Sequence, residues 1–334
     1  MHLRETLSSA NGILVYYDDD ADGLASFLLV KHAFPEAIGI RAARGPELGE
    51  EFLRYEQTYK PSIILILDKP AVSDAFFEGT KTPIIWIDHH SGEDPQRSTV
   101  TYINHCKEGR DEPTSYWIYK EIGGPLWLAA AGCISDWHSC LLAELQQNQS
   151  DLAPQTVQIT DALYHAPIGK IIRILNFSMK GTSKDIRQTV HALARIRDPQ
   201  ELLQPTTFEA KTVYKHTKKL IETYEKQLQQ ASQARIEEGI LVHYFKHEQQ
   251  SFVADIANEL LATSEAEIII IARGDERRTN ISLRSKEKVL PDAVQQALSG
   301  LDGYGGGHDV ACGASIHTED WEIFLHRLLP LLKT

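Results

Sequence analysis

The chain has 334 residues, 42% of them hydrophobic, and a formal charge of −12. Its length exceeds one ordinary core and predicts two domains, and its acidity excludes a protein that coats nucleic acid by bulk attraction, though not a local basic groove. No run approaches the ~18 apolar residues of a membrane span, the N-terminus lacks a secretory pattern, and the four cysteines form no CxxC pair, so a cytoplasmic protein with reduced thiols and no membrane partner is expected.

In chain order, residues 13–17, 39–43, 62–67 and 83–87 are short apolar or β-prone runs. Helical patterns at 24–34 and 47–59 lie between them. Continuous apolar strands alternating with helices predict an α/β domain, a buried parallel sheet with helices on both faces. Residues 125–203 read as mostly helical, with a small-residue helix over 125–136. The polar stretch 208–238 has few apolar positions and suits a connecting helix. A smaller α/β unit then begins, with strands at 240–245, 267–272 and 279–283 and helices at 255–262, 291–298 and 321–332. The expected domains are 1–205, a connecting helix over 206–238, and 239–334.

Three strands of the first domain run into chemistry-bearing residues. Asp18, Asp19, Asp20 and Asp22 follow the first, Asp68 follows the third, and Asp88, His89 and His90 follow the fourth. A lone Asp at such a place is an ordinary helix cap or turn residue. Three strands delivering acids and imidazoles to one sheet edge, where such sheets bind ligands, is a pattern that capping does not explain. The small-residue helix adds Asp136.

Asp18, Asp20, Asp22, Asp68, His89 and Asp136 form a carboxylate-rich set suited to Mn²⁺ or Mg²⁺ rather than structural zinc. Its acids exceed the charge of one divalent cation, and two cations about 3.5–4 Å apart with a shared acid fit it. The chemistry of such a pair is phosphoester hydrolysis. In the second domain Arg284 lies on a strand with Arg273, Arg277 and Arg278 nearby, and the run from Gly303 to Gly307 leads into His308. Arg284 with the open backbone of Gly305, Gly306 and Gly307 reads as a phosphate clamp. A dinucleotide-binding fingerprint is the competitor, but no glycine-rich turn follows the first strand.

These motifs, in this order, resemble the DHH phosphoesterase family. Asp18-Asp-Asp-Ala-Asp-Gly23 resembles its first motif in the form found in RecJ-like members. Asp68 resembles the acid of the second, Asp88-His89-His90 the namesake third, and Asp136 the fourth. Gly305-Gly-Gly-His308 resembles the signature of the DHH-associated C-terminal domain. The resemblance implies two Mn²⁺ (or Mg²⁺) held by Asp18, Asp20, Asp22, Asp68, His89 and Asp136, with Asp68 as the bridge and Asp19 as the spare acid. It implies that His90 helps position the phosphate or the attacking water. It also implies that Arg284, Gly306, Gly307 and His308 hold the substrate's phosphate or terminal nucleotide from across a cleft. Residues 112–115 resemble a substrate-side element of the small members.

The size resembles the compact phosphodiesterases, so the expected activity is hydrolysis of linear dinucleotides or very short oligonucleotides to mononucleotides. A small RecJ-like single-strand exonuclease is the alternative, and an exopolyphosphatase or pyrophosphatase a further one. A non-catalytic scaffold is disfavoured by the intact acid set. The expected partners are a short nucleotide substrate and, as one option, a second copy of the chain.

Overall fold

A computed structural model describes residues 2–42, 45, 47–246 and 251–333. The chain divides into two units, Met1–Lys218 and Lys219–Thr334. Both are mixed α/β.

The first unit is built on a five-stranded parallel sheet. Its strands are β1 (Ile13–Tyr17), β2 (Ile38–Arg41), β3 (Ile63–Leu67), β4 (Ile84–Ile87) and β5 (Val100–Ile103), in the order β2-β1-β3-β4-β5. The alternation of side chains puts Ile13, Val15, Tyr17, Leu65 and Ile87 into the larger core. Leu14, Tyr16, Ile66 and Trp86 enter a second core on the other face with Phe52, Phe76 and Phe77. Strands buried on both faces therefore read as unbroken apolar runs. Helix α1 (Ala21–Ala33) packs on β1 and on α2 (Thr114–Ile122) and α3 (Leu126–Ser135). Every residue of α1 from Ala21 to Val30 is buried.

Several boundaries differ from expectation. The second strand ends at Arg41, and Ala43 lies outside the described residues. The helix expected over 47–59 is instead a short strand, Glu47–Leu48, paired with Ala71–Val72, then a tight turn and a helix over Leu53–Tyr59. Gly49, with extended backbone (φ −88°, ψ 171°), interrupts the helical run. β5 was not anticipated. It lies at the sheet edge, only partly buried, so its apolar signal is diluted by Thr101.

The helix α4 (Phe208–Ser232) is polar, as its sequence indicates. Ala210 and Val213 join the core of the first unit. Within the second unit the Tyr224 hydroxyl donates to Glu259 at 2.6 Å.

The second unit has a six-stranded mixed sheet. Its strands are β6 (Ile236–Glu237), β7 (Ile240–Lys246), β8 (Ile268–Gly274), β9 (Arg278–Ser285), β10 (Gly303–His308) and β11 (Ala311–His317), in the order β10-β11-β9-β8-β7-β6. Helices α5 (Val253–Thr263), α6 (Pro291–Leu298) and α7 (Trp321–Lys333) complete the unit. The glycine run is thus a strand. Its glycines face β11 so closely that a Cβ at Gly307 would stand 2.2 Å from the Ala311 carbonyl oxygen.

In the first unit, helix α3 approaches α1 and α2 through Gly132. A Cβ there would lie 2.6 Å from Asp22 Oδ1 and 2.3 Å from Ser115 Oγ, both on buried residues. Gly132→Ala is expected to weaken divalent-metal uptake at least about tenfold by displacing Asp22, with a loss of about 1–3 kcal/mol in stability. Calorimetric titration with Mn²⁺ and thermal melting measure the two effects.

Candidate metal centre

The site starts from register. Tyr17, Leu67, Ile87 and Ile103 are aligned across β1, β3, β4 and β5. The ladder continues one residue further: Asp18 N–H donates to Leu67 O (3.3 Å), Asp68 N–H to Ile87 O (3.0 Å) and Asp88 N–H to Ile103 O (3.1 Å). Asp18, Asp68 and Asp88 therefore stand in one row at the carboxyl edge. The strand order reverses between β1 and β3, so their connections diverge and open a crevice there. Asp68 has φ 61°, a left-handed conformation that turns the chain away immediately after the strand.

Four predicted residues converge. Ligand-type atoms of Asp22, Asp68, His89 and Asp136 all lie within 4.8 Å of one another, and so do those of Asp68, His89 and His90. His89 Nε2 is 3.4 Å from Asp68 Oδ1 and 3.2 Å from Asp136 Oδ2. Asp22 and Asp68 are fully buried. Among the described residues, Asp68 Oδ2 and His89 Nε2 are buried without a hydrogen-bond partner. Orphaned buried polar atoms among crowded acids fit a divalent cation, which would satisfy both and offset the repulsion.

Asp20 stands beside this group. It caps α1, accepting from Gly23 N–H at 2.9 Å. Asp18 is elsewhere. Its Oδ1 accepts from Lys69 Nζ at 2.9 Å, and this fully buried lysine also donates to Ala42 O (3.2 Å) and Gly45 O (2.8 Å). The structure thus places Asp18 in an ion pair, outside both ligand groups. Asp19 faces Arg41 (3.6 Å).

Two residues of the stretch 112–115 hold acids of the centre in place. Ser115 donates to Asp22 through its hydroxyl and its backbone N–H (3.2 Å), and Thr114 Oγ1 donates to Asp68 at 3.2 Å. The stretch 112–115, expected on the substrate side, therefore supports the ligands from behind. Buried Asp88 is 2.7 Å from His90 Nδ1 and accepts from Asn104 Nδ2 at 3.3 Å. The only sequence signal for Lys69 was a cation directly after a strand-end acid.

Electrostatics follow from crowding. Burial, then Asp22, pushes the Asp20 carboxyl up to about 6. Burial, then Asp136, pushes Asp22 up to about 7. Asp68 is raised well above the usual carboxylate range by burial and by Asp20 and Asp22. Burial opposes charge on His89, but the Asp136 and Asp68 carboxyls, 3.2 and 3.4 Å from its Nε2, outweigh this and hold it up at about 12.

In the second unit Arg284, Ala311 and His308 are paired across β9, β11 and β10, so Arg284 and His308 lie two strands apart on one face, roughly 10 Å. Arg284 Nε donates to Asn258 Oδ1 (2.5 Å) and Nη1 to Leu283 O (2.8 Å). Arg278 lies at the other end of β9, bonded to Ser315 O (2.8 Å), so the expected arginine group does not gather.

Residues 237–334 match the DHHA1 domain family. No curated protein sequence matches the chain significantly. Among solved structures, RecJ from Thermus thermophilus in complex with Mn²⁺ aligns over 99% of this chain and 54% of its own, with TM-score 0.64 and 15% identity. An exonuclease RecJ bound to manganese aligns over 99% and 92% (TM-score 0.61, 16% identity). A pGpG-specific phosphodiesterase from Vibrio cholerae aligns over 96% and 99% (TM-score 0.55, 15% identity). The chain spans about half the length of the Thermus protein, and at these identities the likeness is one of fold. Residues 237–334 therefore form a DHHA1 domain, and the chain as a whole shares the fold of these RecJ and phosphodiesterase structures.

Two outcomes are expected. In the metal-free protein the raised carboxyls contribute stability below about pH 4 that is lost as pH rises through 6 to 7, and His89, charged in the folded state, acts in the same direction above about pH 6.5. The melting temperature without metal should therefore fall between pH 5.5 and 8, and the rise on adding Mn²⁺ should be larger at pH 8. Secondly, Asp18→Asn strands the buried Lys69 charge. It should destabilise the protein by about 3 kcal/mol while calorimetry shows metal stoichiometry unchanged.

Proposed function

We propose that the protein is a two-metal phosphodiesterase that hydrolyses linear dinucleotides or very short oligonucleotides to mononucleotides. The observation that carries this reading is the convergence of Asp22, Asp68, His89 and Asp136, with Asp68 Oδ2 and His89 Nε2 buried and unpartnered. Mn²⁺ or Mg²⁺ suits these donors, and when bound would supply Lewis acidity and charge neutralisation for attack of water on a phosphodiester. When ionised around bound metal, Asp20, Asp22, Asp68 and Asp136 would supply four negative charges, which matches two divalent cations, while Asp18 is paired with Lys69. Asp68 and His89 belong to both ligand groups, and of the two only Asp68 has a second oxygen with which it would hold a second cation.

The remaining residues have separable roles. Ser115 and Thr114 fix the orientation of Asp22 and Asp68. Asp88 occupies Nδ1 of His90 and raises its pKa, which favours the protonated ring and leaves Nε2 facing away from that bond. In this reading Arg284, Gly306, Gly307 and His308 bind substrate phosphate. Gly306 and Gly307, with φ of 155° and 149°, keep that edge free of side chains.

A single-strand exonuclease is the second reading, favoured by fold overlap with a manganese-bound RecJ over 92% of that chain. Purified protein with Mn²⁺ is offered a linear dinucleotide, a ~20-nucleotide single strand and polyphosphate, at equal concentration. The dinucleotide should be cleaved fastest, and Asp68→Ala should lose at least about 10³-fold in rate by losing its bridging acid. Slowest cleavage of the dinucleotide, or retained activity in the Asp68→Ala protein, overturns the reading.

A further inference from the structure

Strand β2 lies at one edge of the parallel sheet and, among the described residues, pairs with β1 alone. Ala42 N–H donates to Tyr17 O at 2.8 Å. By the two-residue alternation of a strand, Ile38 and Ile40 also turn their backbone groups towards β1. Gly39 and Arg41 turn theirs the other way, into a groove of about 510 Å³ between the helix Leu53–Tyr59 and the helix Ser183–Leu193. The groove lies wholly within the first unit. An uncovered edge of this kind is a template for a further strand.

The walls of the groove carry one sign of charge. Arg41, Arg54, Arg187 and His191 line it, and its lining residues include no carboxylate. In a chain of net charge −12 that composition is a local departure. Arg41 stands 3.6 Å from Asp19, so the uncommitted charge lies on the two helices. Arg187 and His191, one helical turn apart, are exposed and have no protein partner among the described residues. On the opposite wall the exposed Arg54 guanidinium sits 4.8 Å from the Tyr55 ring centroid, and Tyr59 adds a ring that is 44% exposed. The two walls flank different faces of the sheet: Tyr55 packs on the core that holds Tyr16, and Val190 on the core that holds Tyr17.

We infer that this groove takes an acidic segment of a partner protein, which adds to β2 as a further strand. The outward N–H and C=O groups of Gly39 and Arg41 call for a backbone of matching donors and acceptors, which a peptide has and a nucleic acid lacks. Side chains of an added strand alternate between two faces, one towards Arg54 and the other towards Arg187, so acids on either face meet a cation. A second copy of β2 is disfavoured as the occupant, because it would bring Arg41, Arg54 and Arg187 against their own equivalents. The bound segment would tether the protein to its partner, and no step of the proposed hydrolysis uses it.

The probe is a fluorescein-labelled peptide of Glu-Asp-Val-Val repeats, about ten residues long, which presents acids on both faces of a strand. Fluorescence anisotropy with the full chain should show saturable binding. The double variant Arg54→Glu, Arg187→Glu, verified as folded by its melting curve, should bind at least about tenfold more weakly. A peptide of the same charge with proline in place of one valine per repeat cannot complete the ladder, and should also lose at least about tenfold. Hydrogen–deuterium exchange at the Gly39 and Arg41 amides should slow at least about tenfold when the first peptide is bound. No saturable binding, binding that survives the charge reversals or the prolines, or binding without protection of those amides overturns the inference. Displacement of the probe by a ~12-nucleotide oligothymidylate as readily as by unlabelled peptide would assign the groove to nucleic acid and overturn it too. None of these measurements uses hydrolysis, so the groove stands or falls separately from the proposed activity.

Discussion

The candidate centre depends on one row of backbone hydrogen bonds. Because the ladder runs one residue past β1, β3 and β4, the residues that follow them are forced into line whatever their side chains. Placing Asp18, Asp68 and Asp88 in that row confines like charges at the end of a buried sheet, and neighbouring elements must compensate. Lys69 does so for Asp18 and His90 for Asp88. Asp68 receives Thr114 and His89, yet one of its oxygens stays unsatisfied. The sheet register is thus the cause, and the unsatisfied carboxyl oxygen of Asp68 is the consequence that a divalent cation would offset.

Compensation also explains why α1, α2 and α3 crowd together. Asp22 lies in the first turn of α1, a favourable place for an acid, but it is fully buried. Its neighbours must therefore be small or hydrogen-bonding. Ser115 and Gly132 meet both demands, and Ala129 accepts the remaining contact through its carbonyl oxygen at 3.2 Å from Ser115 Oγ. The small-residue character of α3 follows from the need to bring a carboxylate, a hydroxyl and a helix backbone into one narrow layer.

Much of this was legible in the sequence. Three of the five parallel strands are unbroken apolar runs, and the acids and histidines follow those three directly, so fold class could be read from the sequence and the candidate centre placed at one sheet edge. What escaped depended on partners distant in sequence. Asp18 looked equivalent to Asp20 and Asp22, because only the approach of Lys69 distinguishes them. Ser115 and Thr114 are ordinary helix-start residues until α2 is placed beside α1. The glycine run carries no strand pattern of its own, and its pairing with Ala311–His317 is what makes it a strand. Edge strand β5, half solvated, had too weak an apolar pattern to register.

The cluster draws on residues from Asp22 to Asp136, delivered by α1 and the ends of β3, β4 and α3 in succession. Each pair of parallel neighbours is closed only through a long crossover, so these contacts are non-local and late to form. During synthesis, a chain that has emerged as far as His90 already has most of its acids but neither Asp136 nor the serine that steadies Asp22. No half-made segment offers the complete cage, so a cation would be captured after the domain has closed, as the last event of maturation rather than a nucleus for it.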